Sequence, residues 1–450
     1  MKKLFFCLLL THFFVTAQTN PAITKWLQNT SVTGTYYVSG NSTPISNGIL
    51  VNCQQVRYST NWAYVNTTGI PAYAVGPYLD GNPSQAGNQN AIFKFPLNPT
   101  QNTGTATATS GGNIGVFING VAMFDFRDGA AWNSTTNALC GGPGNPTCTG
   151  TPAWNRDAIL YEKAGFDCSK GHPAGTNYHH HQNPSAFDLD LTVISNICNL
   201  YDADGLYTIN TSQHSPLIGF AYDGFPIYGA YGYTNTNGTG GITRIKSGYQ
   251  LRNITVRTHY SDGTNVSDGP AVSASYPLGY FREDYEWVSH PGDASYLDEH
   301  NGRFCITPEY PAGIYCYFAT VDANHNSAYP YLVGPTYYGN KTAVKVASVS
   351  ETTTTYSSPL STAEFSLNDD AIKVFPNPAS DLIAIQMGDL VTANLQVELY
   401  DVTGRLVKST RINSGQTITY FDVQDVYNGT YFVKIFNGKN SISRTIIIKK

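Results

Sequence analysis

Four of the chain's ten histidines fall between residues 172 and 181, in the segment GHPAGTNYHHHQNP that runs from 171 to 184. Neutral imidazole is the commonest side-chain ligand for zinc and copper, so the first question is whether these rings can share one ion. Along an extended segment successive side chains point to opposite faces, which puts His179 and His181 on one side and Tyr178 and His180 on the other. H-x-H on a strand is therefore a compact two-ligand grip. His172 lies seven positions before His179, across a loop that Gly175 allows to double back. His172, His179 and His181 then form the expected ligand set, three imidazoles with an open fourth position, as catalytic zinc or copper prefers. Asp167 is a candidate carboxylate for orienting one of these imidazoles from behind, and His180 packs, hydrogen-bonds or faces solvent. The rival reading is a histidine-bearing surface loop that chelates stray metal to no purpose, and the spacing leaves both open.

Other groups compete for a chemical role. In AYDGFPIYG, Asp223 is a candidate general base or ligand, although an Asp-Gly turn closed by an Asx hydrogen bond is the commoner use of such a pair. The stretch REDYEWVSHPGDASYLDEHNGR carries six carboxylates together with His290 and His300. Calcium is the metal such oxygen-rich loops take, but the D-x-[DN]-x-[DN]-G pattern of an EF-hand is missing, so copper or zinc at the histidines is the favoured cofactor. No G-x-S-x-G elbow, H-E-x-x-H helix, phosphate-binding loop or dinucleotide fingerprint occurs, which disfavours those hydrolase and nucleotide-binding classes.

The elements that must hold these groups read as mainly β. Short β-branched and aromatic runs, punctuated by Gly, Pro, Asn and Asp, recur throughout, and long amphipathic helical periodicity is hard to find. IGVFINGVAMFDF (114–126) is two apolar runs joined by Asn119-Gly120, a dipeptide that accepts positive φ at both turn positions, and predicts a hairpin. RFCITPEYPAGIYCYFATV (303–321) predicts a second hairpin with Pro311-Ala312-Gly313 in the turn. From 341 to 371 the sequence becomes rich in Thr and Ser and poor in core-forming aromatics, and reads as a linker. Residues 372–450 return to period-two alternation, with Val397 and Leu399 opposite Glu398 and Tyr400. They read as a small antiparallel β-sandwich.

Composition bounds the setting. Met1-Lys2-Lys3, the apolar run LFFCLLLTHFFV and the small-residue exit TAQ have the order of a signal peptide cleaved near Ala17. Later windows are too short in apolar residues to span a bilayer, so no transmembrane segment is expected. Only 13% of residues are charged and the formal net charge is −5, against roughly 25% charged in an average soluble protein. A basic stripe is absent, so nucleic acid is an unlikely partner. Seven cysteines follow the signal peptide, and in an exported protein disulfides are their default use. The spacings suggest Cys140 with Cys148, Cys168 with Cys198 and Cys305 with Cys316, leaving Cys53 as a buried thiol.

Two resemblances sharpen this. FPNPASDLI (375–383), LYDVTGRLV (399–407), NGTYFVKI (428–435) and the closing Lys449-Lys450 resemble the type A sorting domain of type IX secretion cargo of the Bacteroidetes. That resemblance implies passage through the type IX machinery, then release or attachment to surface lipopolysaccharide. The motifs IGVFINGVAMFD, GHPAGTNYHHH, SPLIGFAYDGFPIYG and LDEHNGRFCITPEYPAGIYCYF occur in the order seen in YHYH-domain proteins, and cover roughly residues 75–335. The family's Tyr-His-Tyr-His carries His180 at its third position here, on the face opposite His179 and His181. The resemblance also implies cysteine where this chain has His300, in keeping with the odd cysteine count. It supplies no reaction.

The expected organisation is a signal peptide (1–17), a β-rich YHYH region (18–340), a linker (341–371) and a sorting domain (372–450). The expected function is an exported protein binding a transition metal through its histidines. The alternative is a cell-surface carbohydrate-binding or adhesion protein, with tyrosines as sugar-stacking platforms and no metal chemistry.

Overall fold

The structure is a computed structural model. It describes residues 20–450 except 80–83, 143, 186–204, 343, 358–371, 388–394, 414–415 and 437–440. The expected signal peptide and Cys198 lie outside the described residues. The chain divides into two compact units after Ser357, and it is mainly β.

The first unit is organised by a mixed eight-stranded sheet. Its strands are β1 (Asn113–Phe117), β2 (Ala122–Phe124), β3 (His172–Ala174), β4 (Asn177–His180), β5 (Leu217–Ala221), β6 (Pro226–Tyr228), β7 (Gly302–Cys305) and β8 (Ile314–Phe318). They lie in the order β3-β4-β2-β1-β5-β6-β8-β7. β5 is buried at every position, as its apolar run LIGFA demands of a strand covered on both faces. A five-stranded antiparallel sheet contributes to the same core. Trp26 lies 5.3 Å from both Phe95 of that sheet and Phe220 of β5, and the two phenylalanines are 6.0 Å apart.

The Asn119-Gly120 hairpin forms, but with positive φ at Gly120 alone. Phe117 N–H donates to Val121 O and Gly120 N–H to Phe117 O, giving a three-residue loop rather than a two-residue one. Glycine is needed there twice over, since a Cβ would sit 2.0 Å from Thr67 Oγ1.

Part of the expected linker belongs to this unit. Val344–Val346 and Thr354–Tyr356 form the two outer strands of the five-stranded sheet, pairing with Ala91–Pro96 and Cys53–Tyr58. Edge strands need backbone partners more than apolar side chains, so Thr and Ser suit them as well as they suit a linker. The remainder of that segment, 358–371, lies outside the described residues.

Cys140 and Cys148 form a disulfide, and Cys168 is disulfide-bonded as well. Cys305 and Cys316 do not: both are free and buried. The register sets Cys305 across from Ile314 and Cys316 across from Arg303, so the two thiols sit on a diagonal rather than as a facing pair. Cys53 is a buried free thiol whose pKa burial pushes far up.

The second unit is a separate β structure of one three-stranded and one four-stranded antiparallel sheet. Leu395, Val397 and Leu399 point inward to its core with Ile383, Ile385, Val433 and Ile435, as the alternation predicts. Gly404 takes positive φ in the turn after Leu395–Asp401.

Candidate metal centre

β3 and β4 form an antiparallel hairpin that reverses at Gly175, whose φ is +60°. The register sets His172 directly across from His179, and directly opposed residues share a face. β4 then runs parallel to β2, with His179 beside Ala122 and His180 beside Met123. That pairing carries His181, the next residue, alongside the end of β2 and Asp125. His172, His179 and His181 are all buried, and one ring nitrogen from each lies within 4.8 Å of the other two.

The ring orientations are set from behind by backbone carbonyls. His179 Nδ1 is 3.0 Å from Asn177 O and His181 Nδ1 is 2.5 Å from Asp125 O. The hydrogen-bond network therefore assigns the Nδ1 protons, because a carbonyl can only accept. Each Nε2 is left to face the centre, and these two nitrogens are 3.1 Å apart. A carboxylate approaches two of these rings. Glu162, at the end of the short helix Ala158–Glu162, places Oε2 3.3 Å from His172 Nε2 and 3.2 Å from His181 Nε2. Ligand atoms at the corners of a tetrahedron with bonds of about 2.0–2.1 Å are separated by roughly 3.3 Å. The three short separations, 3.1, 3.2 and 3.3 Å, fall on that edge length.

The electrostatics call for positive charge at the centre. Burial alone raises the Glu162 carboxyl, but bonds from His172 and His181 outweigh it and hold the group down at about 2. Burial, and then the neighbouring imidazoles of His181 and His172, hold His179 well below the ordinary histidine value. His179 thus stays a neutral lone-pair donor.

Aromatic rings enclose the cluster. Phe124 stacks on His179 at 3.6 Å and meets His181 edge-on, and Phe166 meets His172 edge-on at 4.9 Å. One side opens to a cavity of about 300 Å³ whose lining includes Glu162, the three histidines, Phe124, Arg127 and Asp128. Arg127 is tied to the Asp125 carboxylate and donates to Thr109 O at 2.7 Å. Burial pushes Asp128 up to about 6, against the pull of its ion-pair partner Arg156.

Asp167 does something other than orient an imidazole. Its buried carboxylate accepts from Gly76 N–H (2.8 Å), Ser169 N–H and Gly171 N–H (3.0 Å each) and Tyr178 O–H (2.9 Å). It therefore shapes the 167–171 turn that delivers His172, and the carbonyls do the orienting. Tyr178 and His180 occupy the opposite face of β4 as alternation requires. His180 Nδ1–H donates to Lys170 O at 2.9 Å and Nε2 accepts from Tyr73 O–H at 2.6 Å, with burial lowering its pKa to about 3. The family's usual tyrosine is thus replaced where only packing and hydrogen bonding are at stake. Gly171 lies under this layer, and a Cβ there would come 2.4 Å from Tyr178 Oη and 2.8 Å from His179 O. Gly171→Ala is expected to destabilise the fold by about 1–3 kcal/mol and to weaken metal binding, since His179 must shift; thermal melts with and without added zinc read both.

The helix that carries Glu162 is capped by Asp157, which accepts from Leu160 N–H at 3.0 Å and from Tyr331 O–H at 2.9 Å. Burial raises the Asp157 carboxyl from 3.8 to about 7, against these bonds. Because the folded value is the higher one, this group's stability contribution is complete below 3.8 and is lost as pH rises through about 7. Asp157→Asn keeps a capping oxygen but cannot ionise. Its denaturation midpoint is expected to gain on wild type between pH 4 and pH 8, and a constant difference across that range would contradict the assignment.

The remaining candidates lie elsewhere. Asp223 closes its own turn, accepting from Phe225 N–H at 3.2 Å, Tyr317 O–H at 2.5 Å and Gly339 N–H at 2.8 Å. It is the Asx turn, not a base or ligand of the cluster. His300 is hydrogen-bonded to Thr336. The carboxylates of 283–299 are spread over separate partners: Glu283 on Asn155, Asp284 on Arg257, Asp293 on Lys246 and Asp298 on Tyr315. Glu162 was not legible as a site residue. A carboxylate ten positions before His172 at the end of a capped turn was its only signal.

Residues 92–329 match the family model described as YHYH protein, and residues 373–449 match that of the secretion system C-terminal sorting domain. No curated protein matches the chain.

Proposed function

This chain belongs to the YHYH protein family, and from that premise we propose that it carries a transition-metal centre held by His172, His179 and His181, with Glu162 as the fourth donor. The sorting domain marks the chain for export through the type IX secretion system to the cell surface or the extracellular space. No helix among the described residues is long and apolar enough to cross a membrane. The observation that carries the proposal is the convergence of three Nε2 atoms and one carboxylate oxygen inside a buried site, with two Nδ1 atoms already committed to carbonyls. Glu162 Oε2 is buried without a hydrogen-bond partner, and a buried carboxylate oxygen beside three imidazole nitrogens is favourable when something positive sits among them.

Nitrogen and oxygen donors, three of whose separations match a tetrahedral edge, suit zinc, and imidazole-rich sets also suit copper. Such an ion supplies Lewis acidity toward a group presented from the cavity. The chain's own part is positional. Asn177 O and Asp125 O fix the tautomers, Phe124 and Phe166 exclude water from the rings, and the Asp167 turn sets the height of His172. Attachment to lipopolysaccharide after export belongs to the same proposal, resting on the sorting domain's resemblance alone.

The test is metal analysis of the exported protein purified without nickel resin, beside the His179→Ala, His181→Ala double variant. About one zinc or copper per chain, lost in the variant, is the expected result. Metal far below one per chain in both samples would sink the reading.

A further inference from the structure

A second cleft lies on a different part of the first unit. It measures about 360 Å³, within the range of small-molecule sites, and its lining is dominated by aromatic rings. Tyr249–Leu251 pairs antiparallel with Tyr285–Trp287, setting Tyr249 across from Trp287 and Leu251 across from Tyr285. Alternation therefore places Tyr249, Tyr285 and Trp287 on one face of this hairpin. Tyr285 stacks on Tyr329 at 4.2 Å and 7°, and Tyr249 meets Tyr329 edge-on at 5.2 Å. Trp287 is 37% exposed, so its ring is open to a ligand. Its indole N–H is nonetheless tied to Leu297 O at 3.1 Å, so the ring is a fixed platform rather than a loose one.

The polar groups of the cleft are short of partners. Arg282 spends Nε on Glu283, and its two terminal amino groups have no acceptor among the described residues. The hydroxyls of Tyr285, Tyr329 and Ser261, which also line the cleft, have no hydrogen-bond partner among them either. Arg282 and Glu283 cancel in charge, so the cleft has no excess positive charge to hold a phosphate or a carboxylate. It offers flat apolar rings beside neutral hydroxyls and fixed N–H donors.

We infer that this cleft is a saccharide-binding site. A pyranose ring presents an apolar face of C–H bonds and an equatorial belt of hydroxyls, and it pairs the first with aromatic rings and the second with unpartnered donors. A planar base would use the rings but leave most of the hydroxyls unmet. The inference is independent of the metal centre, whose histidines do not line this cleft.

Calorimetric titration of the whole mature protein with cello-, chito-, xylo-, manno- and laminari-hexaose tests it. At least one oligosaccharide is expected to bind with a dissociation constant of about 1 mM or tighter. Trp287→Ala and Arg282→Gln should each weaken that binding by about tenfold or more. Tyr285→Phe, which removes one hydroxyl and keeps the stack, should weaken it less. The His179→Ala, His181→Ala variant should bind the sugar as wild type does, which separates failure here from failure of the metal proposal. Folding of each variant is checked by its melting curve. Absence of binding across the panel, or unchanged affinity in folded Trp287→Ala and Arg282→Gln proteins, would overturn the inference.

Discussion

His181→Ala is expected to lower zinc affinity by more than about 100-fold, the upper end of what loss of a residue behind a ligand costs. His181 is the pivot of the cluster, since its Nε2 lies 3.1 Å from His179 and 3.2 Å from Glu162. Its removal breaks two of the three short donor separations at once and leaves Asp125 O without its imidazole partner. The cost in stability without metal should be modest, about 1–3 kcal/mol for one buried acceptor left unpaired. The signature is therefore a large loss in a competition titration against a chelator, with a small fall in the melting temperature of the metal-free protein. An affinity equal to wild type would show that the ion, if any, is held by other groups. In the metal-loaded wild type the melting temperature should rise with free zinc, as it does for any ligand that binds only the folded state; in His181→Ala that dependence should vanish.

The second large effect is on the fold. Asp167→Ala is expected to destabilise the first unit by on the order of 3 kcal/mol or more, because three buried N–H groups and one phenol lose their common acceptor. Gly76, Ser169 and Gly171 come from two separate stretches of chain, so a single carboxylate stitches the 76 region to the turn before His172. Asp167→Asn retains one acceptor oxygen but turns an NH₂ group toward donors, and should fall between wild type and alanine. A shift of the denaturation midpoint measures the effect. Metal affinity should fall with it, since His172 is delivered by that turn, whereas His180→Ala, on the opposite face of β4, should leave affinity nearly unchanged.

The histidine arrangement was legible because it rests on two short-range rules. Strand alternation sorted His179 and His181 from Tyr178 and His180, and a glycine between His172 and His179 marked the reversal. The mainly β character and the core-facing residues of the second unit followed from the same period-two pattern. Long-range features were invisible for a common reason. Glu162 reaches the site only because the helix after Asp157 packs against the strand Arg127–Asn133, and no local periodicity encodes that. The carbonyls of Asn177 and Asp125, which set the tautomers, belong to the backbone and carry no side-chain signal. Asp167 was expected to orient an imidazole and instead holds a turn, because a carboxylate near histidines looks the same in sequence in either role. Cys305 and Cys316 invited a pairing by proximity in sequence, and they do meet, but as two buried thiols in hydrogen-bond contact rather than as a disulfide. The Thr-rich segment that became two edge strands shows the same limit, since edge strands are recruited by free backbone groups rather than by apolar side chains.

X-ray absorption at the metal edge of the exported protein, loaded to one ion per chain, tests the central claim most directly. A first shell of three imidazole nitrogens and one oxygen at about 2.0–2.1 Å is the predicted result, with the imidazole scattering reduced in His181→Ala. A shell of oxygens alone, or a spectrum unchanged by that substitution, would contradict it.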